Sequence, residues 1–128
     1  MRQSVLDASA LLALLNQEHG SKQVAEAITD GAAISAVNFS EVVAKLSHDG
    51  MTEAAIHESL DSLGLEVVEF DASLAYQAGF LRPLTKRAGL SLGDRACLVL
   101  AQYLNLPALT TDRVWESLSL GIAIQVIR

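Results

Sequence analysis

A single cysteine, Cys97, leaves no partner for a disulfide and no Cys-rich zinc site. Within "ACLVLA" it reads as a small core residue. His19, His48 and His57 are scattered without metal-ligand spacing. Aromatic residues make up only 5% of the chain, so the core has to be built from Ala, Leu, Val and Ile, and there is little capacity to stack on bases. Positive charge is also scarce. The net charge of −6 argues against a general nucleic-acid coat or a binder of anionic membranes. No window reaches the roughly 20 uninterrupted apolar residues of a membrane span, and Asp7 breaks the apolar run of "MRQSVLDASALLALL", which reads as a strand feeding a helix rather than a leader. A soluble, cytoplasmic protein is expected.

What is present is enough for one domain over residues 1–128, with 51% hydrophobic content to fill its core. Charge is uneven along it. Residues 1–81 carry a net −9, and residues 82–128 a net +3, the latter including Arg82, Lys86, Arg87, Arg95 and Arg113. "SVLD", "AAIS", "LEVVEF", "PALTT" and "IAIQVI" read as short strands. Between them lie helical stretches: "ASALLALLN", "SKQVAEAI" closed by Asp30-Gly31, "VNFSEVVAKL", "TEAAIHESLDSL" with Thr52 as N-cap, a helix capped by Asp71 and bent or ended at Arg82-Pro83, and "SLGDRACLVLAQYL". Strands separated by helices predict an α/β fold with a mainly parallel central sheet flanked by helices. In such sheets, sites form beyond the carboxyl ends of the strands, where Asp7 and Asp112 stand.

Four acids are candidates for a site: Asp7, Glu41, Asp94 and Asp112. Each also has a local explanation. Asp7 and Asp112 can cap the turns that follow them, and Asp94 stands three residues after Ser91 in capping-box position. Glu41 precedes Lys45 by four residues, the spacing of a surface ion pair. Together they suggest a cation site. Two carboxylates ~5 Å apart repel by roughly 3 kcal/mol at an effective dielectric of 20, so several in one pocket take up protons or hold a counter-ion. Oxygen ligands without clustered His or Cys favour Mg²⁺ or Mn²⁺, which polarise a phosphoryl oxygen and acidify water for attack. Ser9, Asn38 and Thr111 stand beside these acids and can orient them, or serve only local turns. Arg95 and Arg113 adjoin acids, and with Arg82 they are candidates to contact flanking phosphates. Trp115 reads as core, with a partner surface as the alternative.

The segments "VLDASALLALL", "ISAVNFSEVVAKL", "GLSLGDRACLVLA" and "ALTTDRVW" resemble, in order and across nearly the whole chain, the PIN-domain family, and within it the VapC-like toxins of toxin–antitoxin pairs. The resemblance implies a divalent-metal endoribonuclease using Mg²⁺ or Mn²⁺, with Asp7, Glu41, Asp94 and Asp112 as its acids and Ser9, Asn38 and Thr111 as polar helpers. It further implies hydrolysis of RNA by metal-activated water to 3′-hydroxyl and 5′-phosphate ends, a homodimer and a cognate antitoxin. A receiver domain or a haloacid-dehalogenase-type phosphatase would want a second acid after the first strand, and "VLDAS" has none. A non-catalytic interaction protein, whose acids pair with a partner's Arg or Lys, remains the alternative.

Overall fold

The computed structural model describes residues 2–128. Five short strands, β1 (Ser4–Leu6), β2 (Ala32–Ser35), β3 (Glu66–Val68), β4 (Ala108–Thr110) and β5 (Ile124–Val126), form one sheet in the order β3-β2-β1-β4-β5. All four pairings are parallel, as the alternation of strands and helices predicts. Seven α-helices lie among the described residues: α1 (Ala8–Leu15), α2 (Ser21–Asp30), α3 (Ala36–His48), α4 (Glu53–Asp61), α5 (Ala72–Phe80), α6 (Arg82–Thr85) and α7 (Leu92–Leu104). A 3₁₀ turn, Arg113–Ser117, follows β4.

Strand alternation divides the core. On β1, Val5 joins Leu74, Ala78, Cys97, Leu98 and Trp115 on the α5/α7 side, while its neighbour Leu6 packs with Ala10, Val24 and Leu109 on the α1/α2 side. Each large aliphatic side chain wholly withdrawn from water there contributes about 1.5–3 kcal/mol. Cys97 and Trp115 are both fully buried, so Trp115 is core and not a partner surface. The chain breaks where proline requires it: α5 stops at Phe80 and α6 starts again with Pro83 in its first turn.

β1 is the central strand, with β2 on one side and β4 on the other. The chain reverses its direction of travel across the sheet there, the place where sites form beyond the carboxyl ends of strands in such sheets. At the β1 end, Asp7 caps α1. β2 runs through Ser35, which caps α3, and β4 runs into Asp112. α7 delivers its N-terminal turn, with Asp94, to the same vicinity, since Asp94 lies close enough for its charge to be felt at Asp7 and Glu41.

Candidate active site

Asp7 is held by three donors. Its Oδ1 accepts from the Ala10 N–H at 2.8 Å, which is the N-cap bond of α1, and from the Ser9 hydroxyl at 2.7 Å. Its Oδ2 accepts from the Thr110 hydroxyl. The two hydroxyls serve a second purpose. Ser9 Oγ accepts from the Thr111 N–H at 3.0 Å, and Thr110 Oγ1 accepts from the Asp112 N–H at 3.1 Å. A latch of two side-chain hydroxyls therefore ties the ends of β1 and β4 together around one carboxylate. Sequence reasoning misses Thr110; the helper it points to is Thr111, which enters through its backbone N–H.

Three hydrogen bonds favour the charged form of Asp7, but burial outweighs them. Asp7 is only 5% exposed, and its pKa rises from 3.8 to about 6, chiefly through desolvation, with the Asp94 charge adding to the rise. Glu41 is an exposed residue whose carboxylate lies against the first turn of α7. Desolvation there, together with the Asp94 charge, holds its pKa above the ordinary glutamate value against the opposing effect of Asn38. The buried Cys97, one helical turn beyond Asp94, senses Asp7, Asp94 and Glu41 together. Its thiol is pushed well above its usual range by burial first and by these charges next.

The surface ion pair available to Glu41 does not form. Lys45 turns to Asp49 at 3.3 Å, while Glu41 Oε1 accepts from Asn38 Nδ2 at 3.0 Å. Asn38 is 1% exposed and its Nδ2 also donates to the Gly93 carbonyl at 2.9 Å, joining α3 to α7. Asp94 and Ser91 make the reciprocal capping box, with Ser91 N–H donating to Asp94 Oδ2 at 2.9 Å and Asp94 N–H donating to Ser91 Oγ at 3.1 Å. Asp112 is exposed and caps the 3₁₀ turn, its Oδ1 accepting from the Val114 N–H at 3.0 Å.

The local caps foreseen for Asp7, Asp94 and Asp112 are thus all made. Asp94 nonetheless comes within electrostatic reach of both Asp7 and Glu41, while Asp112 stands at the solvent rim. Among the described residues, no three His, Cys, Asp or Glu side chains are close enough as they stand to share an ion. The donor set still fits a hard divalent cation. It consists only of carboxylates, two of them with raised proton affinity, and the recorded caps engage one oxygen each of Asp94 and Asp112. The Oδ1 of Asn38, buried beside Glu41, has no hydrogen-bond partner among the described residues.

The arginines fare differently. Arg95 donates through an Nη to the Ala78 carbonyl at 2.9 Å, so its guanidinium is turned toward α5. Successive residues on a helix point about 100° apart, and adjacency to Asp94 in sequence does not give Arg95 the same outlook. Arg82 and Arg113 are exposed, and Arg113 reaches the Arg128 carbonyl at 3.4 Å.

Residues 4–119 match the sequence profile of the PIN domain. No curated protein sequence matches the chain. Among solved structures, a DNA-bound VapBC from Salmonella typhimurium has 22% identity and a TM-score of 0.73, covering 98% of each chain. A toxin–antitoxin complex from Klebsiella pneumoniae has 22% identity and a TM-score of 0.72, covering 90% of this chain and 92% of that one. VapC20 of Mycobacterium tuberculosis, described as a sarcin–ricin-loop-cleaving toxin, has 19% identity and a TM-score of 0.75, covering 90% and 94%. At these identities the structures attest the fold, and with the profile match over most of the chain, the protein belongs to the PIN-domain family.

Proposed function

We propose that the protein is a divalent-metal-dependent endoribonuclease, the toxin of a toxin–antitoxin pair, that hydrolyses RNA phosphodiesters using Mg²⁺ or Mn²⁺. The observation that carries this is the approach of Asp7 and of Glu41 to Asp94 near the carboxyl end of the central strand, both raised in proton affinity chiefly by desolvation and further by the Asp94 charge. Such carboxylates repel a phosphate as they stand, so a cation is what makes the site compatible with RNA. When bound, a divalent ion polarises a phosphoryl oxygen and makes water acidic enough to attack phosphorus.

The chain's own residues do the rest. Asp7, pinned by Ala10, Ser9 and Thr110, offers a carboxylate whose orientation is fixed before any ligand arrives. Glu41 is fixed by Asn38, Asp94 is carried in the first turn of α7, and Asp112 stands just beyond the end of β4. Water adds to phosphorus, the P–O3′ bond breaks, and O3′ leaves as a hydroxyl after taking a proton, with a 5′-phosphate on the other fragment. Thr111 stays a candidate helper through its part-buried position between Thr110 and Asp112. Arg113 and Arg82 are free enough to meet flanking phosphates, whereas Arg95 would first have to release Ala78.

A cognate antitoxin that pairs a basic side chain with these acids, and a homodimer, belong to the same proposal. The solved complexes of similar fold contain toxin with antitoxin, which supports the first. The exposed Tyr76, Phe80 and Leu84 on α5 and α6 are an apolar surface that supports the second. Among the described residues, no helix is long and apolar enough to cross a membrane.

The test is to incubate structured RNA with purified protein and Mn²⁺, comparing wild type with Asp7→Asn and Asp94→Asn. Metal-dependent cleavage by wild type that each substitution lowers severely is expected. Cleavage undiminished by both, or none in any preparation, removes the nuclease.

A further inference from the structure

Gly93 occupies the first turn of α7, in backbone that any residue adopts, yet it is buried against another element. A methyl group placed there would overlap both carboxylate oxygens of Glu41 and stand 2.7 Å from its Cδ. Real side chains do not tolerate such a contact, so either Glu41 or α7 would have to move. In a helix, glycine is less favourable than alanine, and nothing in the backbone conformation at this position calls for it. The space above Gly93 is filled by an acid from α3.

That acid is also held from its other side. Asn38 Nδ2 donates at once to Glu41 Oε1 and to the Gly93 carbonyl, so one buried amide fixes both the carboxylate and the turn it rests on. The next residue along α7 is Asp94, whose charge reaches Glu41. Close approach of α3 to α7 therefore sets the distance between two acids supplied by different helices.

We propose that Gly93 is a positioning residue: its missing side chain seats the Glu41 carboxylate, clamped by Asn38, against the first turn of α7 so that Glu41 and Asp94 face one cation together. The cation half of this rests on the function proposed above; the seating of Glu41 does not. Gly93→Ala swings Glu41 away while leaving the fold in place, and shortening the acid in that background, Gly93→Ala with Glu41→Asp, restores room for it.

Two measurements decide the matter. The first is Mn²⁺ titration calorimetry of wild type, Gly93→Ala, Glu41→Asp and the double variant. Gly93→Ala is expected to weaken Mn²⁺ binding by roughly tenfold or more, the scale seen when the support of a ligand is disturbed. Glu41→Asp is expected to weaken binding when made in wild type and to strengthen it when made in the Gly93→Ala background. This reversal of sign is not produced by a general loss of packing. Wild-type affinity in Gly93→Ala, or simple additivity of the two changes, overturns the proposal. The second measurement is metal-free thermal melting of Gly93→Ala, introduced once into wild type and once into the Glu41→Ala variant. The substitution should raise the melting temperature in the Glu41→Ala background and fail to do so in wild type; equal shifts overturn the seating. If wild type takes up no Mn²⁺, the nuclease proposal fails by itself, and the melts still decide whether Gly93 seats Glu41.

Discussion

The carboxyl ends of β1 and β4 are built from the same local pattern and do different work. Each strand runs into an aspartate that caps the next turn, Asp7 for α1 and Asp112 for the 3₁₀ turn. Asp7 is enclosed, accepts three hydrogen bonds and is harder to ionise than an ordinary carboxylate, while Asp112 is exposed and its carboxylate caps the turn through one oxygen. Place in the sheet makes the difference, since β1 lies between β2 and β4 and β4 lies one strand nearer the edge. A shared motif therefore fixes where an acid stands, and burial decides how much field it generates.

The largest effects should separate these two acids. Asp7→Asn is expected to lower RNA cleavage by roughly 10²–10³-fold, the scale of removing one preorganised electrostatic group. Asp112→Asn should lose less, about tenfold. Single-turnover rates on the same RNA check both, and equal losses would erase the contrast.

Stability should move the opposite way. Because the folded pKa of Asp7 is raised from 3.8 to about 6, the folded protein binds the proton more tightly than the unfolded chain. Stability from this group is therefore greatest below pH ~3.8, falls as pH climbs toward 6, and stays reduced above it. The total is about 3 kcal/mol on the two-unit shift. Asp7→Asn removes that pH dependence and is expected to unfold at higher urea concentration than wild type at pH 7.5, with the advantage shrinking toward pH 4. Urea titrations across this window test the sign.

A smaller effect separates two neighbouring threonines. Thr110→Val removes a buried donor to Asp7 and an acceptor for the Asp112 N–H, costing about 1–3 kcal/mol of stability. Thr111→Val should cost only a few tenths of a kcal/mol, because its contribution to the latch is a backbone N–H. Matched thermal melts would show a clear gap, and similar melting temperatures would mean the latch is not what joins β1 to β4. The smallest change belongs to Arg113→Ala, which should reduce the salt dependence of RNA binding by about one counter-ion and leave the folded protein unaffected.

Much of this arrangement can be read from the chain, because the elements carrying it are periodic. The Phe39/Val42/Val43/Leu46 stripe and the run after Asp94 specify helices, the caps at Thr52, Asp71 and Ser91 set their starts, and Asp7 and Asp112 fall at strand ends as expected. What escapes sequence reading is direction across space. Thr110 and Thr111 are chemically identical neighbours, and only the alternation of β4, which puts Thr110 on the same side as Ala108, tells which one meets Asp7. Arg95 follows an acid in sequence but faces α5, a consequence of helical rotation that adjacency hides. Gly93 is one unremarked position of the helical stretch "SLGDRACLVLAQYL" until α3 is seen to approach it. No pattern along one helix announces a neighbour contributed by another.

The sole thiol of the chain sits inside this arrangement, fully enclosed and kept protonated by its surroundings. An alkylating reagent can therefore reach it only when α7 parts from the sheet. Labelling speed at Cys97 then works as a clock for opening of the layer beneath the acids. Any ligand that braces those acids should slow it, with no reporter needing to be engineered into the molecule.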